Sequence, residues 1–253
     1  MTQMTLRHFI FCNPSFANYC LRQRQVAVPI HISEDMTDRV SKNAVSFTLA
    51  LASILFCLFS LGLGWSLGID PLVRFSTDQN AMVPATALCL ALVGFATMPL
   101  VSHTSGWLLQ RLALVLAIGF LGSLVLLRLF GLDLPLEDLV IFESNPNDGV
   151  SDATILGLLL LSIAPAIRLN LLPLHADWRL HVPLFGAIGS CAVTVGIFVD
   201  ALTLDQIPPF TNMSHYTAAL LMCLFFAQLL MSDPTAADLE ADIDRDDAKF
   251  GKG

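Results

Sequence analysis

Three threonines stand at the head of near-copies of one pattern. Thr86 lies in MVPATALCLALVGFATM (Met82 to Met98), Thr154 in SDATILGLLLLSIAPAI (Ser151 to Ile167) and Thr217 in SHYTAALLMCLFFAQLL (Ser214 to Leu230). A hydroxyl one turn inside a helix can bond its own backbone, or it can offer a donor and an acceptor to a small ligand. Trp65 precedes the first copy and adds a ring with a single N–H donor. Trp65, Thr86, Thr154 and Thr217 are therefore the ligand-binding candidates, with packing between helices as the competing role for each threonine.

Other reactive types are present without the spacing that chemistry needs. His175 and His181 flank Asp177, which would hold a metal only with ligands from elsewhere. Ser102-His103 beside Thr104 and Ser105 is the most tempting cluster of nucleophile and base, and it reads as a turn. Asp242, Asp244 and Asp246 begin like a calcium loop, but Asp247 occupies the position that requires glycine. No HExxH or phosphate-binding loop occurs. Of the six cysteines, Cys57, Cys89, Cys191 and Cys223 fall in apolar runs, while Cys12 and Cys20 have no CxxC partner. The expectation is a non-enzymatic chain with no metal and no cofactor.

The elements that would carry the threonines are set by composition. Of 253 residues, 55% are hydrophobic and 13% charged, against about 25% charged in ordinary soluble domains. Mean hydropathy is +0.70. The charges gather at the two ends and in short connectors, and the runs between them are continuous and Leu-rich with no period of two. Such runs predict membrane-spanning helices rather than a barrel. Six spans are expected, near Ala44 to Gly68, Pro84 to Val101, Trp107 to Phe130, Asp152 to Leu169, Val182 to Val199 and Tyr216 to Met231. The second, fourth and sixth are short for a hydrocarbon layer about 30 Å thick.

Orientation follows from the basic residues beside the spans. With the termini inside, eleven of the thirteen Lys and Arg residues are inner, and only Arg74 and Arg128 are outer. The loop from Asp133 to Asp148 then forms an acidic outer rim. The first apolar run begins too late for a cleaved secretory signal. The division expected is a cytoplasmic tail over 1–43, an all-α membrane domain over 44–231 built from three helical hairpins, and an acidic cytoplasmic tail over 232–253. The formal charge of −8 leaves no basic stripe for a nucleic-acid partner.

The repeats also set local structure. Ser151 and Ser214 are placed to cap helices, with Thr154 and Thr217 at the third helical position. In the first copy Val83 caps poorly, but Pro84 at the first helical position loses no needed donor. Acids mark the end of each preceding span: Asp70, Asp133 and Asp200 lie 16, 21 and 17 residues before Thr86, Thr154 and Thr217. This near-regularity predicts a duplicated hairpin packed about a pseudo-symmetry axis. The spans have no acid or base until their ends, which argues against an ion relay through the bilayer.

The stretch Leu63-Gly64-Trp65-Ser66-Leu67-Gly68-Ile69-Asp70-Pro71-Leu72, followed by Met82-Val83-Pro84-Ala85-Thr86-Ala87-Leu88-Cys89, resembles the N-terminal membrane sensor region that precedes PAS, histidine kinase or diguanylate cyclase modules in bacteria. Leu129-Phe130-Gly131-Leu132-Asp133-Leu134 is similar to the second hairpin of that region. Ala85 replaces the usual Asn and Leu90 the usual Phe. The resemblance covers about Val45 to Leu230 and implies a sensory membrane part without the catalytic output.

The function expected is thus sensing, regulation or assembly in the bacterial inner membrane. The partners expected are membrane lipid and either another protein or a second copy. A small carrier with an outward pocket is the alternative, and an accessory subunit of a respiratory or photosynthetic complex is a further one.

Overall fold

The computed structural model describes residues 32–75, 80–99, 104–130, 150–175, 177–199, 210 and 213–231. The Ser102-His103 pair, the acidic loop, Asp200 and the acids after Met231 lie outside these residues. The chain divides into two compact units, Met1–Ser41 and Lys42–Gly253. The described part of the first is helical. Everything below concerns the second.

Six helices make up the described structure: α1 (Ile32–Phe59), α2 (Pro84–Thr97), α3 (Thr104–Leu129), α4 (Asp152–Arg168), α5 (Trp178–Val199) and α6 (His215–Met231). No strand occurs among the described residues. The segments expected from the apolar runs are therefore helical. Three of them, Ser41–Trp65, Gly106–Leu129 and Trp178–Gly196, are long and apolar enough to cross a bilayer. By contrast α2 has 14 residues and α4 and α6 have 17 each. At 1.5 Å per residue these are about 21 to 26 Å long.

Length sorts the helices into two sets. The short helices α2, α4 and α6 pack pairwise against one another. Each long helix then lies between two short ones. Helix α3 packs on α2 and α4, and α5 packs on α4 and α6. Helix α1 meets α6, where the Ser46 hydroxyl donates to the Ala227 carbonyl at 2.8 Å, and meets α2, where Ile54 covers Gly94. Each hairpin thus touches the inner helix of the one before it, and the order closes on itself.

The repeated pattern is the buried face of this inner trio. Counting from Thr86, Thr154 and Thr217, the residue four on is Leu90, Leu158 or Leu221, and seven on it is Val93, Leu161 or Leu224; all are buried. Ten residues on stands an alanine in every copy, Ala96, Ala164 and Ala227, also buried. Positions spaced by three and four share one helical face. Many side chains left exposed along α3 and α5 are large and apolar: Leu108, Leu112, Val115, Leu116 and Leu126 on one, Phe185, Ile188 and Val195 on the other. An exposed surface of that kind is stable against lipid and costly in water.

The inner helices all run the same way. Arg168 at the end of α4 reaches both the end of α2 and Met231 at the end of α6, so the three C-termini share one end of the bundle. The two ends are called the threonine end and the arginine end below.

One local feature departs from the sequence reading. Directly after α1 the chain continues as a wider π-helical segment, Ser60–Trp65, SLGLGW. Two glycines lie in it, and the segment abuts the short 3-10 turn Asp70–Leu72. A Cβ on Gly64 would fall 2.6 Å from Val73 Cγ2, so glycine is what allows this close approach.

Candidate functional site

At the threonine end the hydroxyls are turned inward on their own helix starts. Ser151 Oγ accepts from the Thr154 N–H at 3.1 Å, and the two side-chain oxygens are hydrogen-bonded at 2.7 Å. Ser214 and Thr217 repeat this at 3.1 and 2.8 Å. Ser151, Thr154, Ser214 and Thr217 are each at most 3% exposed. Helix α2 starts differently: Val83 gives no side-chain cap, Pro84 occupies the first turn, and Thr86 is buried.

A buried hydroxyl pair that also satisfies a free helix N–H is a structural device. Ser151→Ala and Ser214→Ala are each expected to cost about 1 kcal/mol. Thermal unfolding of the single variants measures this, and an unchanged midpoint in both would show that water replaces the cap.

Trp65 is also held. Its Nε1–H donates to the Met82 carbonyl at 3.0 Å, and its ring packs with Val73 and Ala81. It ties the end of the π-helical segment to the strand-like lead into α2. Beside it, Tyr216 donates to the Pro71 carbonyl at 2.7 Å and packs on Phe56 with ring centres 5.0 Å apart. Phe75 stacks on His215 at 6.0 Å. The four residues singled out by sequence thus all fall at one end of the bundle, with Trp65 brought to the lead into α2. The bonds of Trp65, Thr154 and Thr217 stay within the fold.

The arginine end is where polar groups gather beyond what the sequence pattern singles out. Arg168 donates from Nη1 to Thr97 O at 3.3 Å, and from Nη2 to Ala96 O and to Met98 O, the latter at 3.4 Å. Gln110 Nε2 adds a bond of 2.7 Å to Met98 O. Arg111 donates from Nε and Nη2 to Leu169 O at 2.9 and 2.6 Å, with its guanidinium 3.5 Å over the Trp107 ring. These are the last carbonyls of α2 and α4, which a helix cannot satisfy itself. In lipid no water is at hand to do so, and donors must come from the protein.

A cleft of about 80 Å³ opens at this end. It is lined by Thr97 of α2, Ala164, Pro165 and Arg168 of α4, Arg179 of α5, and Gln228 and Met231 of α6. Thr97, Pro165 and Gln228 occupy the same register, eleven residues beyond the three threonines. The cleft therefore sits where the three inner helices converge. Among the described residues that line it there is no carboxylate.

Sequence reading counted Arg111, Arg168 and Arg179 only as topological charges. The signal available was a base at the end of an otherwise apolar short helix, which needs a partner. Elsewhere, His175 Nδ1 lies 3.4 Å from Asp177 Oδ2, and His181 Nδ1 lies 2.7 Å from the Asp177 backbone oxygen. Among the described residues no group of three or more His, Cys, Asp or Glu could hold a metal ion. Compared with known proteins, the chain matches no family profile, no curated protein and no solved structure.

Proposed function

We propose that this chain is a six-span sensory or regulatory module of the bacterial inner membrane, with both termini cytoplasmic, acting without catalysis through a protein partner or a second copy. The observation that carries this reading is the inner trio. Three helices with the same register start at the threonine end, and one guanidinium joins their far ends. A displacement of one inner helix cannot leave the other two unchanged, because Arg168 bonds α2 and contacts Met231 of α6.

Six spans follow if the short inner helices cross with the long ones. Their ends then lie within the apolar layer, which accounts for the capping of α2 and α4 by Arg168, Gln110 and Arg111. The resemblance to sensor regions ahead of PAS and kinase modules supports the same reading. The carrier alternative is less well supported. Leu90, Leu158, Leu221 and Leu224 are at most 2% exposed and fill the space between the inner helices where a conduit would run.

Topology is tested by reporters fused after Ser144 and after Lys252. The first should report the outside and the second the inside; both on one face would overturn the six-span layout. Size measurement in gentle detergent tests the role. A stable dimer or a stoichiometric partner complex is expected, whereas a solitary monomer with saturable solute uptake in vesicles would replace sensing by transport.

A further inference from the structure

A groove runs along the outside of the bundle where α3 meets α4. It starts at the helix ends, since Arg128 stands in the last turn of α3 and Asp152 in the first turn of α4. Val125 and Leu129 line one wall and Ile155, Leu156 and Leu159 the other, around a space of about 560 Å³. Pockets that hold small organic ligands span about 300–1,000 Å³. Leu129 and Leu156 are exposed, so the groove is open along its outer side.

Its charges sit at one end only. Arg128 Nη1 is paired with Asp152 Oδ1, and the rest of the lining is apolar. From Asp152 to Leu159 the groove follows α4 for about 10 Å. A charged end at the helix termini, with an apolar channel leading away from it, has the polarity of a phospholipid lying against the bundle.

The headgroup that fits follows from the pair being neutral as a whole. An anionic headgroup would meet the Asp152 carboxylate as well as the guanidinium. A zwitterion meets both with opposite sign, its phosphate against Arg128 and its cation against Asp152. The bond within the pair uses one nitrogen and one oxygen, so Nε, Nη2 and Oδ2 lie outside it, on side chains that are both exposed. A carboxylate oxygen only accepts, so it favours an ammonium with N–H donors over a trimethylammonium with none.

We propose that the groove between α3 and α4 binds phosphatidylethanolamine, with its phosphate on Arg128, its ammonium on Asp152 and an acyl chain along Val125, Ile155 and Leu159. Lipid tails are as apolar as leucine, so the chain seats the molecule and the headgroup selects it. The proposal rests on the membrane part of the reading above, that α3 meets lipid, and not on the sensory role.

The test uses the full chain, delipidated in detergent, with thermal unfolding as the readout. Phosphatidylethanolamine, phosphatidylcholine and phosphatidylglycerol with the same acyl chains are titrated separately. Phosphatidylethanolamine is expected to reach half its stabilising effect at a concentration about tenfold below the other two, the gain expected for a charge-assisted contact. Asp152→Asn keeps the Ser151 cap and removes the charge that receives the ammonium, so the advantage over phosphatidylcholine should vanish. Leu156→Trp, at an exposed position, fills the groove and should weaken the response to phosphatidylethanolamine. Phe185→Trp, on the exposed face of α5, should respond as the wild type does.

Each lipid comparison is made within one variant, so a change in the variant's own stability does not enter. The proposal is overturned if no lipid stabilises the wild type, if Asp152→Asn keeps the advantage, if Leu156→Trp responds as the wild type does, or if Phe185→Trp loses the response equally. Equal stabilisation by all three lipids also overturns it, while leaving the membrane reading in place.

Discussion

Arg168→Met is expected to lose about 2–5 kcal/mol of stability, the largest effect of any single side chain at the arginine end. The estimate rests on which carbonyls would be left alone. Met98 O keeps its bond from Gln110, but Ala96 O and Thr97 O depend on Arg168 among the bonds described above. Each buried carbonyl without a donor costs about 1–3 kcal/mol. Methionine replaces the apolar stem of the arginine, so lost packing of the stem contributes little.

Arg168→Lys is the informative companion. An ammonium has three donors at one point and cannot span three carbonyls as a planar guanidinium does, so an intermediate loss is expected. Thermal unfolding in detergent, followed by size-exclusion fluorescence, measures both. A wild-type midpoint for Arg168→Met would show that water reaches the end of α2, and the claim that the inner helices end inside the apolar layer would fall with it.

How far the sequence predicts this arrangement depends on the range of the interactions. The Ser151 and Ser214 caps are legible because their partners lie three residues away, within the reach of a local pattern. Helix positions are legible too, since uninterrupted apolar runs have few alternatives. The sorting into inner and outer helices is not. Helices α2 and α6 are apolar on every side, so no stripe marks the face that meets the core. Only the register of the repeat, read with the packing, shows why Ala96, Ala164 and Ala227 coincide.

The role of Arg168 is hidden for a related reason. Its partners on α2 lie 70 to 72 residues earlier, and no spacing rule connects them. In sequence it is one more charge counted toward orientation, and that count is silent about structure. The threonines show the opposite case. Their recurrence marks a real repeat, yet Thr154 and Thr217 spend their hydroxyls on the caps, while the cleft lies eleven residues further along the same faces.

Packing on the outside of the trio should prove as unforgiving as capping at its end. A methyl group added at Gly186 of α5 would fall inside the ring of Phe225 on α6, which is 1% exposed. Between helices in lipid no hydrophobic gain offsets a poor fit, so close contact at small residues carries the association. Gly186→Ala is expected to cost about 1–3 kcal/mol through overpacking, because a buried ring cannot swing aside as a flexible chain end can. Gly157→Ala is the internal comparison: its methyl would meet Leu221 Cδ1 at 2.9 Å, the far end of a side chain that can rotate. It should lose clearly less. Phe225→Leu removes the ring and should recover most of the Gly186→Ala loss, so the double variant would be more stable than the sum of the singles allows. Equal losses for Gly186→Ala and Gly157→Ala, or no recovery in the double variant, would mean that α5 and α6 do not meet at Gly186. In that case the closed order of hairpins would be broken between α4 and α6.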